Sequence, residues 1–243
     1  MPSGKEILEN AYFVVANSLW LREITLKSDS QKEVGVIYDG INIAEFHSDP
    51  SKRNNDQFTI ICVSRIAPEK GIRILIQAFK IISGRYDYVR LFIVGDGEER
   101  SSLEHLTQGL ELEKEVVFTG TIPHEKVLEY YQKSDLFVSP YLEKGISKVV
   151  LEAMACSLPV IAADSQLARE IFEDNSNILF VKKNDASDLA EKIEKLLLDR
   201  KLLENIAKNS RLRAEHFDWN EIAKEYINLY EKTKSLGRIR QGE

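Results

Sequence analysis

Cysteine is nearly missing from this sequence: Cys62 and Cys156 are the only two in 243 residues. Both lie in apolar context, which excludes a disulfide framework and reads as two small buried hydrophobes. No apolar run approaches the ~20 residues of a membrane-spanning helix, and no secretory apolar segment opens the chain. A reduced, cytoplasmic protein is the expectation. Positive charge is also in deficit: 33 Lys and Arg against 39 Asp and Glu leave a net charge of −6. That balance argues against nucleic acid or an anionic membrane as the main partner. Any anion site must then be a local concentration of cations on an acidic molecule. The four histidines, His47, His105, His124 and His216, are scattered, and no Asp-x-Asp occurs. Neither a metal site nor a Ser/His/Asp or Cys/His grouping is expected.

What is present is alternation. Short apolar, often β-branched runs at 12–16, 34–37, 58–63, 90–94, 116–118, 136–138, 159–162 and 178–180 read as strands. Helical patterns lie between most of them, at 19–26, 72–82, 99–109, 124–132, 147–155, 167–172 and 186–198. Continuous apolar strands alternating with amphipathic helices predict an α/β fold, a doubly wound parallel sheet covered on both faces. Beyond residue 198 the pattern is all helix, at 200–216 and 219–234, with Asp199 and Asp218 as N-caps. The tail 234–243 is expected to fray. Residues 1–45 read as an attachment joined through the polar stretch 48–57, 46–218 as the compact domain, and 219–243 as a final helix and tail. Tyr130, Tyr131, Phe217, Trp219 and Tyr226 fall at helical spacing and are expected in the core.

The segment Val63-Ser64-Arg65-Ile66-Ala67-Pro68-Glu69-Lys70-Gly71 follows a strand and precedes a helix. Arg65 and Lys70 therefore stand in a loop at the carboxyl end of a strand, beside a helix N-terminus. Open α/β sheets bind ligands there, and backbone N–H groups favour an anion. A guanidinium holds phosphate oxygens bidentately and an ammonium adds a point charge, so the pair suits a phosphorylated small molecule. Loss of either cation should weaken such an anion by roughly 10- to 100-fold.

Val94-Gly95-Asp96-Gly97 ends another strand. Its glycines permit either a plain βα turn or close backbone approach to a ligand. As a dinucleotide fingerprint it fails, since no third glycine follows and Glu98 and Glu99 would repel a pyrophosphate. A nicotinamide dehydrogenase is excluded on that ground. In Glu143-Lys144-Gly145-Ile146-Ser147-Lys148-Val149-Val150-Leu151-Glu152-Ala153-Met154-Ala155, a helix opening near Ile146 aims the N–H groups of Ser147, Lys148 and Val149 at a cleft. Glu152 falls about two turns in, among apolar neighbours, where a lone carboxylate needs a partner. The vicinal hydroxyls of a ribose offer two donors at carboxylate spacing.

Together these residues resemble the carboxyl-terminal half of retaining glycosyltransferases of family 4, which have the GT-B fold. The likeness includes Ala16-Asn17-Ser18, Asp39-Gly40-Ile41-Asn42, the loop 64–71, Val94 to Gly97, Val117-Phe118-Thr119-Gly120, Ser134-Asp135-Leu136-Phe137-Val138-Ser139-Pro140, Leu158-Pro159-Val160 and Phe217-Asp218-Trp219. The resemblance implies transfer of a sugar from a UDP- or GDP-sugar to an acceptor, without metal or other cofactor. It assigns the departing diphosphate to Arg65 and Lys70, and the ribose to Glu152. It puts Gly95 beside the donor and the backbone of Gly120, Thr121 and Ile122 against the base. The donor-sugar position falls on Lys144, with Glu143 displaced by one.

Lys144, Ser157 and Leu167 depart from the family pattern, so an inactive truncated copy, or the nucleotide-sugar-binding subunit of a split enzyme, is the alternative. The resemblance further implies an acceptor domain supplied by a partner chain or a missing segment, and leaves room for peripheral membrane contact. Phe13, Val15 and one face of the last helix are expected to form an exposed apolar patch.

Overall fold

The computed structural model describes residues 10–11, 13–27, 33–141 and 147–240, with Leu167 and 235–240 described through the backbone alone. Two small strands, β1 (Val14–Ala16) and β2 (Val34–Val36), pair in parallel as a sheet of their own, with α1 (Leu19–Lys27) between them. The main sheet contains β3 (Phe58–Val63), β4 (Val89–Val94), β5 (Val116–Gly120), β6 (Leu136–Ser139), β7 (Val160–Ala163) and β8 (Leu179–Val181). All its pairings are parallel, in the order β5-β4-β3-β6-β7-β8. Its helices are α2 (Ile72–Ser83), α3 (Arg100–Gly109), α4 (His124–Gln132), α5 (Lys148–Ala155), the single turn α6 (Gln166–Arg169) and α7 (Ala186–Leu198). Two longer helices, α8 (Arg200–Glu215) and α9 (Trp219–Arg240), complete the chain.

The uninterrupted apolar strands have their explanation in the packing. Successive side chains of a strand face opposite sides of a sheet. Ile60, Cys62, Leu91, Ile93, Leu136, Val138, Leu179 and Val181 join one buried cluster with the inner faces of α2, α3 and α7. Their neighbours Ile61, Val94, Phe137, Val160, Ala162 and Phe180 join a second cluster with α4, α5 and Phe217. With both faces covered, a strand has no polar side to show.

Several expectations are corrected. The helical pattern at 167–172 yields only the turn α6, started by Ser165, whose Oγ accepts from the Ala168 N–H at 3.1 Å. The last helix does not end at 234 but continues to Arg240. The stretch read as a linker is bonded to α4: Lys52 Nζ donates to Gln132 Oε1 at 2.6 Å, and Gln132 Nε2 donates to the His47 carbonyl at 3.1 Å. Of the aromatics placed in the core, Tyr131 and Phe217 are buried, Tyr130 and Tyr226 half-buried, and Trp219 is 45% exposed. Asp199 caps α8 through the Leu202 N–H at 2.9 Å, as its position implied. Exposed large apolar side chains include Leu21, Ile24 and Leu26 on α1 and Ile227 and Tyr230 on α9. Phe13 and Val15 are half-buried, Phe13 beneath the Lys232 ammonium.

Arg211 of α8 ties distant parts together. Its Nη1 donates to the Phe46 carbonyl at 2.9 Å and to the Ala155 carbonyl, the last of α5, at 2.6 Å. A cation at a helix C-terminus satisfies carbonyls that have no intrahelical donor. Arg211→Met keeps the stem but orphans both acceptors, and should cost about 2 kcal/mol in urea unfolding. An unchanged midpoint would show that water replaces the guanidinium freely.

Candidate functional site

The order β5-β4-β3-β6 makes β3 and β6 a topological switch point: the chain leaves β3 toward β4 on one side and β6 toward β7 on the other. Open α/β sheets bind ligands outside the carboxyl ends of such strands. Every candidate within the described residues lies at that edge or on the helix it leads to. Arg65 and Lys70 follow β3, Gly95 follows β4, Gly120 closes β5 with Thr121 and Ile122 next, and Ser147, Lys148 and Val149 open α5 after β6. Glu143 and Lys144 lie outside the described residues.

The β3 and β6 loops touch. The short 3-10 turn Pro68–Lys70 ends at Gly71 in the left-handed region (φ 68), where a Cβ would stand 3.1 Å from Pro140 Cβ. This contact brings the Lys70 ammonium over the Tyr141 ring, 4.6 Å from its centroid. A ring face attracts a cation without consuming its hydrogen-bond donors, so Lys70 is held and still able to donate. Arg65 is 67% exposed in its side chain and pairs with Glu69 one turn on. So of the two cations expected to meet an anion, one already leans on a carboxylate. The pair is exposed on both sides, and exposed pairs are weak and screened by salt.

The glycines of the β4 turn have a packing reason. A Cβ on Gly95 would lie 2.0 Å from the Ser64 carbonyl oxygen, and one on Gly97 2.3 Å from that of Ile66. The two loops are laced by Ser64 N–H to Val94 O (3.0 Å), Ile66 N–H to Asp96 O (2.9 Å) and Glu99 N–H to Ile66 O (3.2 Å). The close backbone approach read from these glycines is therefore an approach to the Arg65 loop. Asp96 turns inward on its own segment, accepting from Gly97 N–H and Arg100 Nη1, both at 2.8 Å. Those bonds, the backbone one first, hold its carboxyl below the usual range. Arg100 overhangs the backbone of Gly120, whose Cβ would meet Nη1 at 2.9 Å.

Glu152 is 7% exposed, on a helix otherwise buried from Val150 to Ala155. The partner its burial demanded is Tyr131, whose hydroxyl donates to Oε2 at 3.0 Å. Burial raises the Glu152 pKa, opposed by that hydrogen bond and by His124 and Lys148, with Glu45 adding to the rise. The sequence read Tyr131 as core, which it is, and missed its hydroxyl. The available signal was chemical: a tyrosine on a helix's apolar face needs an acceptor. Burial pushes the thiols of Cys62 and Cys156 up to about 12, as inert side chains require. Among the described residues no group of three His, Cys, Asp or Glu side chains is arranged to hold a metal. No helix there is long and apolar enough to cross a membrane.

Comparison with known proteins follows the same lines. The sequence profile described as "Glycosyl transferases group 1" matches residues 44–213. An uncharacterized glycosyltransferase of Methanocaldococcus jannaschii is 30% identical over 228 residues, covering 89% of this chain. The chain spans only 58% of that relative's length. Among solved structures, sucrose-phosphate synthase of Thermosynechococcus elongatus superposes with a TM-score of 0.83 at 29% identity, covering 96% of this chain and 61% of that one. Anabaena HepE in complex with UDP-glucose superposes with a TM-score of 0.82 at 25% identity, covering 94% and 66% of the two chains.

Proposed function

Because the chain belongs to the group 1 glycosyl transferases, we propose that it is the donor-binding part of a retaining glycosyltransferase using a UDP- or GDP-sugar. One observation supports the reading: at the switch point, two cations follow β3, and α5, entered after β6, carries a buried carboxylate. Each matches one piece of a nucleoside diphosphate. Arg65 and Lys70 meet the diphosphate, Glu152 the ribose hydroxyls, and the backbone at Gly120 to Ile122 the base, with Gly95 holding the Arg65 loop in place. Ser147, Lys148 and Val149 present the α5 N–H groups to the distal phosphate or the sugar.

In the reaction, the bond from the anomeric carbon to the β-phosphate oxygen breaks and its electron pair stays with the diphosphate. Fixed positive charge there stabilises the transition state more than the ground state. The acceptor oxygen bonds to the same face and passes its proton to the departing β-phosphate oxygen, and Glu143 or Lys144 meets the donor sugar. The groups that hold the acceptor come from a further domain or a partner chain. The UDP-glucose bound by HepE supports the donor class, and two buried free thiols suit a cytoplasmic setting.

Calorimetric titration with UDP, GDP, uridine and guanosine tests this. One diphosphate should bind at least about ten-fold tighter than its nucleoside, since charge-assisted contacts to two cations are absent from the latter. Binding of neither diphosphate would end the proposal.

A further inference from the structure

Tyr131 is fully buried, yet its hydroxyl is not committed to packing. Its ring packs against Phe46 and Phe137, with centroids at 6.1 and 6.0 Å, which holds its direction. The hydroxyl meets Glu152 Oε2 at 3.0 Å and the Val149 carbonyl at 3.3 Å. Among the described residues, Glu152 Oε1 accepts no hydrogen bond. The two carboxylate oxygens thus have separate duties: one is anchored, the other open.

We propose that Tyr131 is a positioning residue, holding Glu152 by Oε2 so that Oε1 accepts the vicinal hydroxyls of a ribose. The inference rests on the nucleoside-diphosphate reading of this site and deepens it. A free glutamate on a helix samples several rotamers and would have to be ordered by the ligand. One anchored by a buried phenol whose ring packs against two phenylalanines is ordered beforehand, and the ribose meets a preorganised acceptor. The phenol also favours the charged carboxylate, the form that accepts two donors.

The charged and titratable groups around Glu152 decide what pH dependence to expect. Tyr131 and His124 face it from α4, Glu45 from the turn before β3, Lys148 and Cys156 lie on its own helix, and Arg211 of α8 meets the end of that helix. Burial keeps the Tyr131 phenol protonated far above neutrality. Removing it takes away a bond that lowers the Glu152 pKa, so that pKa rises and the carboxylate is lost at a higher pH. His124 is among the groups that lower the Glu152 pKa, so it cannot imitate this shift.

The test compares the full chain with its Tyr131→Phe and Glu152→Gln variants. Each is titrated between pH 5 and 9 with whichever of UDP or GDP binds, and with the matching 2′,3′-dideoxynucleoside diphosphate. In the wild type the ribose form should bind about ten-fold or more tighter at neutral pH, with the preference fading on the acid side as Glu152 protonates. Tyr131→Phe should lose about ten-fold of that preference, move the acid limb to higher pH and leave dideoxy binding unchanged. Glu152→Gln should flatten the limb altogether.

A Tyr131→Phe protein with the wild-type preference and limb overturns the inference while leaving the donor-site reading intact. Failure of the wild type to bind either diphosphate overturns both. Equal weakening of ribose and dideoxy ligands would mark a merely structural role and likewise overturn it.

Discussion

A Gly95→Ala variant is expected to lose more than about 3 kcal/mol of folding stability, equivalent to a fall in Tm of about 6 °C or more. Two independent penalties add. The backbone there has φ +134, a region closed to side chains other than glycine's hydrogen, and the new Cβ would stand 2.0 Å from the Ser64 carbonyl oxygen. Neither side can retreat cheaply. Ser64 and Ile66 are bonded across to Val94 and Asp96, so relief would break the lacing that carries the Arg65 loop. Gly84→Ala is the matched control: its φ is −69, ordinary helical backbone, and the nearest atom to a Cβ is Lys80 O at 3.4 Å. That change should move stability by at most about 1 kcal/mol, in either direction. If urea unfolding gave the two variants the same midpoint, the contact between the β3 and β4 loops would be refuted.

Loss of the Lys70 ammonium should weaken a nucleoside diphosphate about 10- to 100-fold while leaving the parent nucleoside unaffected. Lys70 is half-buried over Tyr141, between the two loops of the switch point, and so is held where an anion would enter. Arg65→Ala should act in the same direction. Its effect should be the smaller one, because part of the guanidinium's capacity is already turned to Glu69. Releasing it tests the competition directly: Glu69→Gln should tighten the diphosphate a few-fold at low salt, with the gain shrinking as salt screens the pair. Lys70→Ala binding diphosphate and nucleoside with unchanged affinities would remove the electrostatic basis of the proposed function.

The placement of Arg65, Lys70 and Gly95 was legible before any coordinates, because each follows a recognisable strand and strand ends are where this class of sheet binds. Gly120 came from the family resemblance, and Glu152 from its place on an apolar helix. The demand of Glu152 for a partner was legible too, from six apolar neighbours around one carboxylate. Its identity was not, because Tyr131 stands 21 positions earlier on a different helix. The grip of Glu69 on Arg65 was overlooked for a different reason. The two are four residues apart, and the 3-10 turn that carries Glu69 reads from the sequence as a plain loop bearing two cations.

What the chain alone determined is local: which stretches are strands and which helices, that the strands are buried on both faces, and that two cations accompany the end of one of them. These follow from periodicity and apolar content, which act over a few residues. Tertiary structure decided the neighbours. It put β3 beside β6, laid the Gly95 turn on the Ser64 carbonyl, and set a buried phenol against a glutamate. Such pairings depend on which surfaces fit when distant segments pack at crystal-like density, a condition that no single stretch of sequence contains.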